Sequence, residues 1–158
     1  MIRLFEKREA TEQIINGNLE TGDTTGWSGC GGISINNPHS GTYCWEITDD
    51  YPVFVQAFTS PILVDTIDSF TIWIRSTMPD YVNIQFLIGD EIYCYQFTDL
   101  DTEWKEYNLK SIMTSLGITS GTLYSIAFFG GKPSPIFGGE ETHITTAFDD
   151  VSLMATIP

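Results

Sequence analysis

The stretch 81–98, YVNIQFLIGDEIYCYQFT, decides the fold. Two runs of alternating apolar and polar residues flank Gly89-Asp90, a two-residue turn of the kind that joins antiparallel strands. With the turn there, Ile88 pairs with Glu91, and the rest of the register follows by counting back along both strands. Val82 then faces Phe97, Ile84 faces Tyr95 and Phe86 faces Tyr93, which reads as a core face. Asn83 opposite Gln96, Gln85 opposite Cys94 and Leu87 opposite Ile92 give a mostly polar second face.

Just upstream, SFTIWIRS (69–76) alternates in the same way, with Phe70, Ile72 and Ile74 on one side and Thr71, Trp73 and Arg75 on the other. Farther out, nearly every segment is a short strand-like run ended by Gly, Pro, Asn or Asp, the spacing of a sandwich or barrel. Only LKSIMTSL (109–116) carries a helical pattern, enough for one or two turns. The expected fold is therefore all-β, a sandwich or barrel with a short N-terminal arm. Residues 1–13, MIRLFEKREATEQ, form that charged arm, and 14–158 form the sandwich. A length of 158 residues suits one domain of about 100–200 residues.

The formal net charge of −14, from 21 acidic and 7 basic residues, repels phosphate backbones and anionic lipid. Neither nucleic acid nor membrane insertion is expected, and no run approaches the roughly 18 apolar residues of a membrane span. Cys30, Cys44 and Cys94 are odd in number, with no C-x-x-C and no histidine pair nearby. They read as buried free thiols rather than as a zinc site or disulfide framework. The N-terminus lacks the apolar h-region of a secretory signal. Either a signal has been removed, or the protein reaches an extracellular or virion surface by another route, such as assembly onto a particle released by lysis.

Catalytic signatures are missing. The only histidines are His39 and His143, and G-x-S-x-G, H-E-x-x-H and a phosphate-cradling Gly-rich loop do not occur. A non-catalytic protein is expected. Asp99, Asp101 and Glu103 alternate like metal ligands but lack the Gly and distal Glu of an EF-hand, so they read as a solvated turn before Trp104. KPSPIFGGEE (132–141) reads as a loop suited to contacting a partner.

If the strands around the hairpin share one sheet, Trp73, Arg75, Tyr81, Asn83, Gln85 and Gln96 line its outer surface. Flat aromatic rings can stack on the C–H face of a pyranose while amides and a guanidinium bond its hydroxyls. The alternative is that Trp73 is covered by the arm or by a loop.

Five segments in order, NGNLETGDTTGW (16–27), PHSGTYCWEI (38–47), SFTIWIRS (69–76), TEWKEYNL (102–109) and TAFDDVSL (146–153), resemble carbohydrate-binding modules with a galactose-binding-like jelly roll. The resemblance covers about residues 14–155. It implies a two-sheet antiparallel β-sandwich of jelly-roll type and a non-catalytic module that binds a glycan or surface, with Trp27, Tyr43, Trp45 and Trp104 in structural positions. It also implies a structural calcium, Ca2+, held by the Glu20 and Asp149 side chains and by carbonyls near Ser40 and Thr42. Asp149 shares strand parity with Val151 and Leu153 and so is expected to point inward, where a carboxylate needs a cation or a donor. Backbone N–H groups capping that carboxylate would serve instead. A second functional reading is a structural virion component, a capsid or appendage protein partner docked through residues 1–13.

Overall fold

The computed structural model describes residues 8–47, 53–77, 82–130 and 146–157. Tyr81, His143 and the 132–141 loop lie outside these residues. In chain order the strands are β1 (Thr11–Glu12), β2 (Ser28–Gly29), β3 (Gly32–Ser34), β4 (Cys44–Ile47), β5 (Val53–Leu63) and β6 (Ile67–Ser76). They continue as β7 (Asn83–Ile88), β8 (Glu91–Gln96), β9 (Lys105–Asn108), β10 (Thr122–Phe129) and β11 (Thr146–Ala155). The helix α1 (Leu109–Ser115) starts where the sequence pattern places it, with the Asn108 side chain accepting the N–H of Ser111 as its N-cap.

The strands form two antiparallel sheets. One has the order β3-β4-β11-β6-β9, with β1 added on β11; the other has the order β2-β5-β10-β7-β8. The β7–β8 register is the one counted from the Gly89-Asp90 turn, from Ile88↔Glu91 to Asn83↔Gln96. Gly89 adopts a φ of 58°, the left-handed conformation such a turn requires.

Between the sheets lies an aromatic core. Phe54 of β5 is stacked between Trp27 and Trp45, at centroid distances of 4.0 and 4.1 Å, and Phe128 and Phe148 pack beside it at 5.0 Å from each other. Phe70, Ile72 and Ile74 are fully buried, as their alternation predicts. No helix among the described residues is long and apolar enough to cross a membrane.

The end of the expected arm is built into the sandwich. Thr11 and Glu12 pair with Ala155 and Met154, and the Gln13 N–H bonds the Leu153 carbonyl. Glu12 Oε1 accepts the N–H groups of Gln13, Ile14 and Leu153, while Oε2 accepts the Ser152 hydroxyl. Two residues on, the buried Gln56 amide of the other sheet bonds both the N–H and the carbonyl of Ile15. The segment 11–15 thus closes the edge between the sheets, because its backbone groups find partners on both.

Asp149 does not point inward. Phe148 fills the core, and Asp149 sits opposite Trp73 on the outer side of its sheet. The register slips between Asp149 and Ser152, with Asp150 at a φ of 45°, and this bulge returns Val151 to the core. Simple parity fails there because the bulge inserts a residue.

Candidate functional site

The two outer faces of the sandwich differ in chemistry. On the six-stranded sheet, the rows Glu46–Ala147–Arg75 and Asp149–Trp73–Glu106 run across the strands. Residues 35–40 fold over them. Arg75 donates to the Asn36 carbonyl, the Trp104 indole N–H to the Asn37 carbonyl, and the Asn36 amide to Glu46. The His39 ring lies on Trp73 at 3.7 Å, and the Arg75 guanidinium lies 5.1 Å from the Trp104 ring. Arg75 is left only 8% exposed and pairs with Glu46 at 3.5 Å. Its hydrogen-bonding arms are turned into the molecule rather than toward a ligand.

The expected six-residue surface is therefore divided. Trp73 and Arg75 belong to β6 of the six-stranded sheet, whereas Asn83, Gln85 and Gln96 belong to β7 and β8 of the five-stranded one. Strands adjacent in sequence here lie in different layers, so shared alternation did not mean a shared face. Trp73 is covered, and the cover is the His39 loop.

The outer face of the five-stranded sheet is open among the described residues. Its register sets Val53, Phe129, Asn83 and Gln96 in one row. Val55, Ala127, Gln85 and Cys94 form the next, and Ala57, Ser125, Leu87 and Ile92 the third. With strands about 4.8 Å apart, each row spans roughly 14 Å, room for more than one sugar ring. Small side chains on β5 and β10 make the middle shallow, and the amides gather toward β7 and β8. Phe129, half-buried beside Asn83, is the ring of this face that sequence reading missed. Its alternation with buried Phe128 and Ile126 was the available signal.

Cys94 also stands on this face, exposed, with its thiol 3.6 Å from the Asn83 side-chain oxygen. Cys30 is exposed too, and only Cys44 is buried, contrary to the expectation of three buried thiols. Burial pushes the Cys44 thiol up to about 11. All three are free.

The calcium candidates converge on one turn. Glu20 Oε1 accepts the N–H groups of Thr42 and Tyr43, and Asp149 Oδ2 accepts those of His39 and Ser40. Asp149 Oδ1 accepts the Asp150 N–H, and the Asp150 carboxylate bonds the Ser40 hydroxyl and lies 2.6 Å from His39 Nδ1. Burial, with the neighbouring Asp150 charge adding to it, pushes the fully buried Asp149 up to about 6 against the hydrogen bonds that it accepts. A carboxylate offers about four lone pairs. Among the described residues Glu20 accepts hydrogen bonds through Oε1 alone, so Oε2 and the turn's carbonyls are chemically suited to a hard cation. Among the described residues no group of three or more His, Cys, Asp and Glu side chains is gathered as metal ligands, so calcium there would depend on those carbonyls.

The opening and closing motifs meet beside this turn. The Val151 N–H bonds the Gly17 carbonyl, and a Cβ on Gly17 would lie 1.9 Å from the Val151 carbonyl oxygen, which is why glycine stands in N-G-N-L-E. A carbohydrate binding domain profile matches residues 11–127, the span that holds this opening motif, Trp73 and Arg75 of one face and Asn83, Gln85 and Gln96 of the other. The chain belongs to that family of carbohydrate-binding domains.

Solved structures agree on the fold of this carbohydrate-binding domain. It is similar to TmCBM61, determined in complex with β-1,4-galactotriose, at 17% identity and a TM-score of 0.57, covering 92% of this chain and 99% of that one. It is similar also to the CBM22-1 xylan-binding domain of Paenibacillus barcinonensis Xyn10C, at 8% identity and a TM-score of 0.55, covering 97% and 99%. A CBM4 structure matches at 16% identity and a TM-score of 0.52, covering 90% and 99%. No curated protein sequence matches the chain.

Proposed function

We propose that this carbohydrate-binding domain is a non-catalytic module acting outside the cell, and that its glycan lies on the outer face of the five-stranded sheet. The observation that supports it is the contrast between the faces: one is closed by the His39 loop, whereas the other presents Asn83, Gln85 and Gln96 around Phe129. In this reading Phe129 stacks on the C–H face of a sugar ring, and the amides exchange hydrogen bonds with its hydroxyls, since an amide both donates and accepts. Affinity electrophoresis in neutral polysaccharide gels tests it. Asn83→Ala, Gln85→Ala and Phe129→Ala are expected to weaken binding at least tenfold each, with Gln96→Ala, at the edge, weaker in effect. Binding unchanged in all four would overturn the assignment.

We propose also a structural calcium, with Glu20 and Asp149 as carboxylate ligands and carbonyls of Ser40 and Thr42, because these oxygen donors gather at one turn. Calorimetric titration of EDTA-treated protein is expected to show calcium uptake and a raised Tm, both lost in Glu20→Gln. No heat and no shift in Tm would overturn it.

A further inference from the structure

The strand β10 carries a second ring on the outer face of the five-stranded sheet. Its register with β7 and β5 slips between Leu123 and Ser125. Leu123 is buried and pairs with Ile88, whereas Ser125 pairs with Leu87 and Ala57 of the third row, so Tyr124 is the extra residue of a β-bulge. A bulge re-aims a side chain, and here the Tyr124 side chain is turned out of the core, 42% exposed. Phe129 and Tyr124 therefore stand toward the two ends of one strand, with Ala127 and Ser125 on the outer face between them. We infer that the glycan lies along β10 rather than across the sheet, with Phe129 and Tyr124 stacked on separate sugar rings of one segment. The inference rests on the reading of this face as the glycan site and adds the ligand's direction, its minimum length and a further contact residue.

Spacing and chemistry both favour that direction. At about 3.3 Å per residue, Phe129 and Ser125 are roughly 13 Å apart, with Tyr124 next beyond, so a chain touching both rings is longer than a disaccharide. The small side chains of Ala127 and Ser125 let such a chain lie close to the sheet. Beside Phe129, Ala127 and Ser125, β7 sets Asn83, Gln85 and Leu87. A sugar chain stacked on β10 thus turns its hydroxyl edge toward the amides of Asn83 and Gln85, which donate and accept. Among the described residues, the rows that cross the sheet hold a single aromatic ring, Phe129, or none. Two rings hold a long segment better than one, because the second contact is made by a chain already bound.

Cello-, xylo- and β-1,4-galacto-oligosaccharides, from disaccharide to hexasaccharide, are titrated calorimetrically into the full chain and into its Tyr124→Ala and Tyr124→Phe variants. For the best-bound series, Tyr124→Ala is expected to weaken the hexasaccharide about fivefold and to leave the disaccharide unchanged, while Tyr124→Phe, which keeps the ring, binds both like the parent. Hexasaccharide affinity unchanged in Tyr124→Ala, or an equal loss for both lengths, would overturn the inference and leave the site standing. Direction is read at Cys94, exposed on β8 two strands from β10, roughly 10 Å away. In a Cys30→Ser variant it is the only exposed thiol, Cys44 being buried. Saturating hexasaccharide is expected to leave its alkylation by iodoacetamide nearly unchanged, and protection of several-fold would show a chain that crosses the strands and overturn the direction. Binding of none of the probes would overturn the site reading and this inference with it.

Discussion

His39 lies face to face on Trp73, with ring centroids 3.7 Å apart and planes 15° from parallel. Its backbone N–H bonds Asp149 and its Nδ1 lies against Asp150, so one residue ties the 35–40 loop to the sheet at three points. Trp73 thereby becomes part of the wall. His39→Ala is expected to cost about 1–2 kcal/mol in urea denaturation, from the lost ring contact and hydrogen bond. Glycan affinity should not change. A Trp73→Ala variant that folds but no longer binds glycan would return Trp73 to the site.

The carboxylate of Glu12 accepts four hydrogen bonds, two from Ser152 and Leu153 that join β1 to β11 and two from Gln13 and Ile14 within its own segment. Glu12→Ala is expected to lower stability by about 1–2 kcal/mol, tempered by its exposure. Deletion of residues 1–13, which removes β1, should lower Tm clearly below that of a chain lacking only residues 1–10. Equal Tm values for the two truncations would show that the β1 contacts contribute nothing.

Asp149 sets a pH dependence of known sign. Its pKa of about 6 in the fold exceeds the ordinary 3.8, so between these values the folded chain holds a proton that the unfolded chain lacks. The contribution of this group to stability therefore rises as pH falls from about 6 toward 4, and above pH 7 the group disfavours folding by an amount on the order of 3 kcal/mol. Asp23 and Asp101 act in the opposite sense below about pH 4. Hydrogen bonds from Thr25 hold the first below the usual carboxylate range, and the Glu103 N–H holds the second. Carboxyl carbon NMR in EDTA should give an Asp149 midpoint near 6, and a midpoint at or below 4 would contradict the cause assigned.

Thiol reactivity separates the three cysteines. Cys30 and Cys94 should react with a disulfide reagent in the native protein at pH 8, and Cys44, buried and pushed up to about 11, only after unfolding. The readout is the stoichiometry, two thiols native and three denatured.

The sheet pairing around Gly89-Asp90 was legible in the sequence because a two-residue turn leaves one register, and period-2 alternation then assigns each face. The same alternation buried Phe70, Ile72 and Ile74 correctly, and the five ordered motifs indicated the family. Sequence could not say which layer a strand joins. Phe70–Arg75 and Asn83–Gln96 read alike, yet β6 pairs with β9 and β11 while β7 pairs with β8 and β10. That choice is made by long-range contacts, and it moved Trp73 and Arg75 away from the amides. Nor could sequence foresee the bulge at Asp150, which turned Asp149 outward, or the loop that covers it. Local chemistry determined strands, turns and inward faces, because these depend on neighbours in the chain. Which face stays open, and which charged groups are sealed, depended on distant segments finding partners for their backbone groups, and only the tertiary structure decided that.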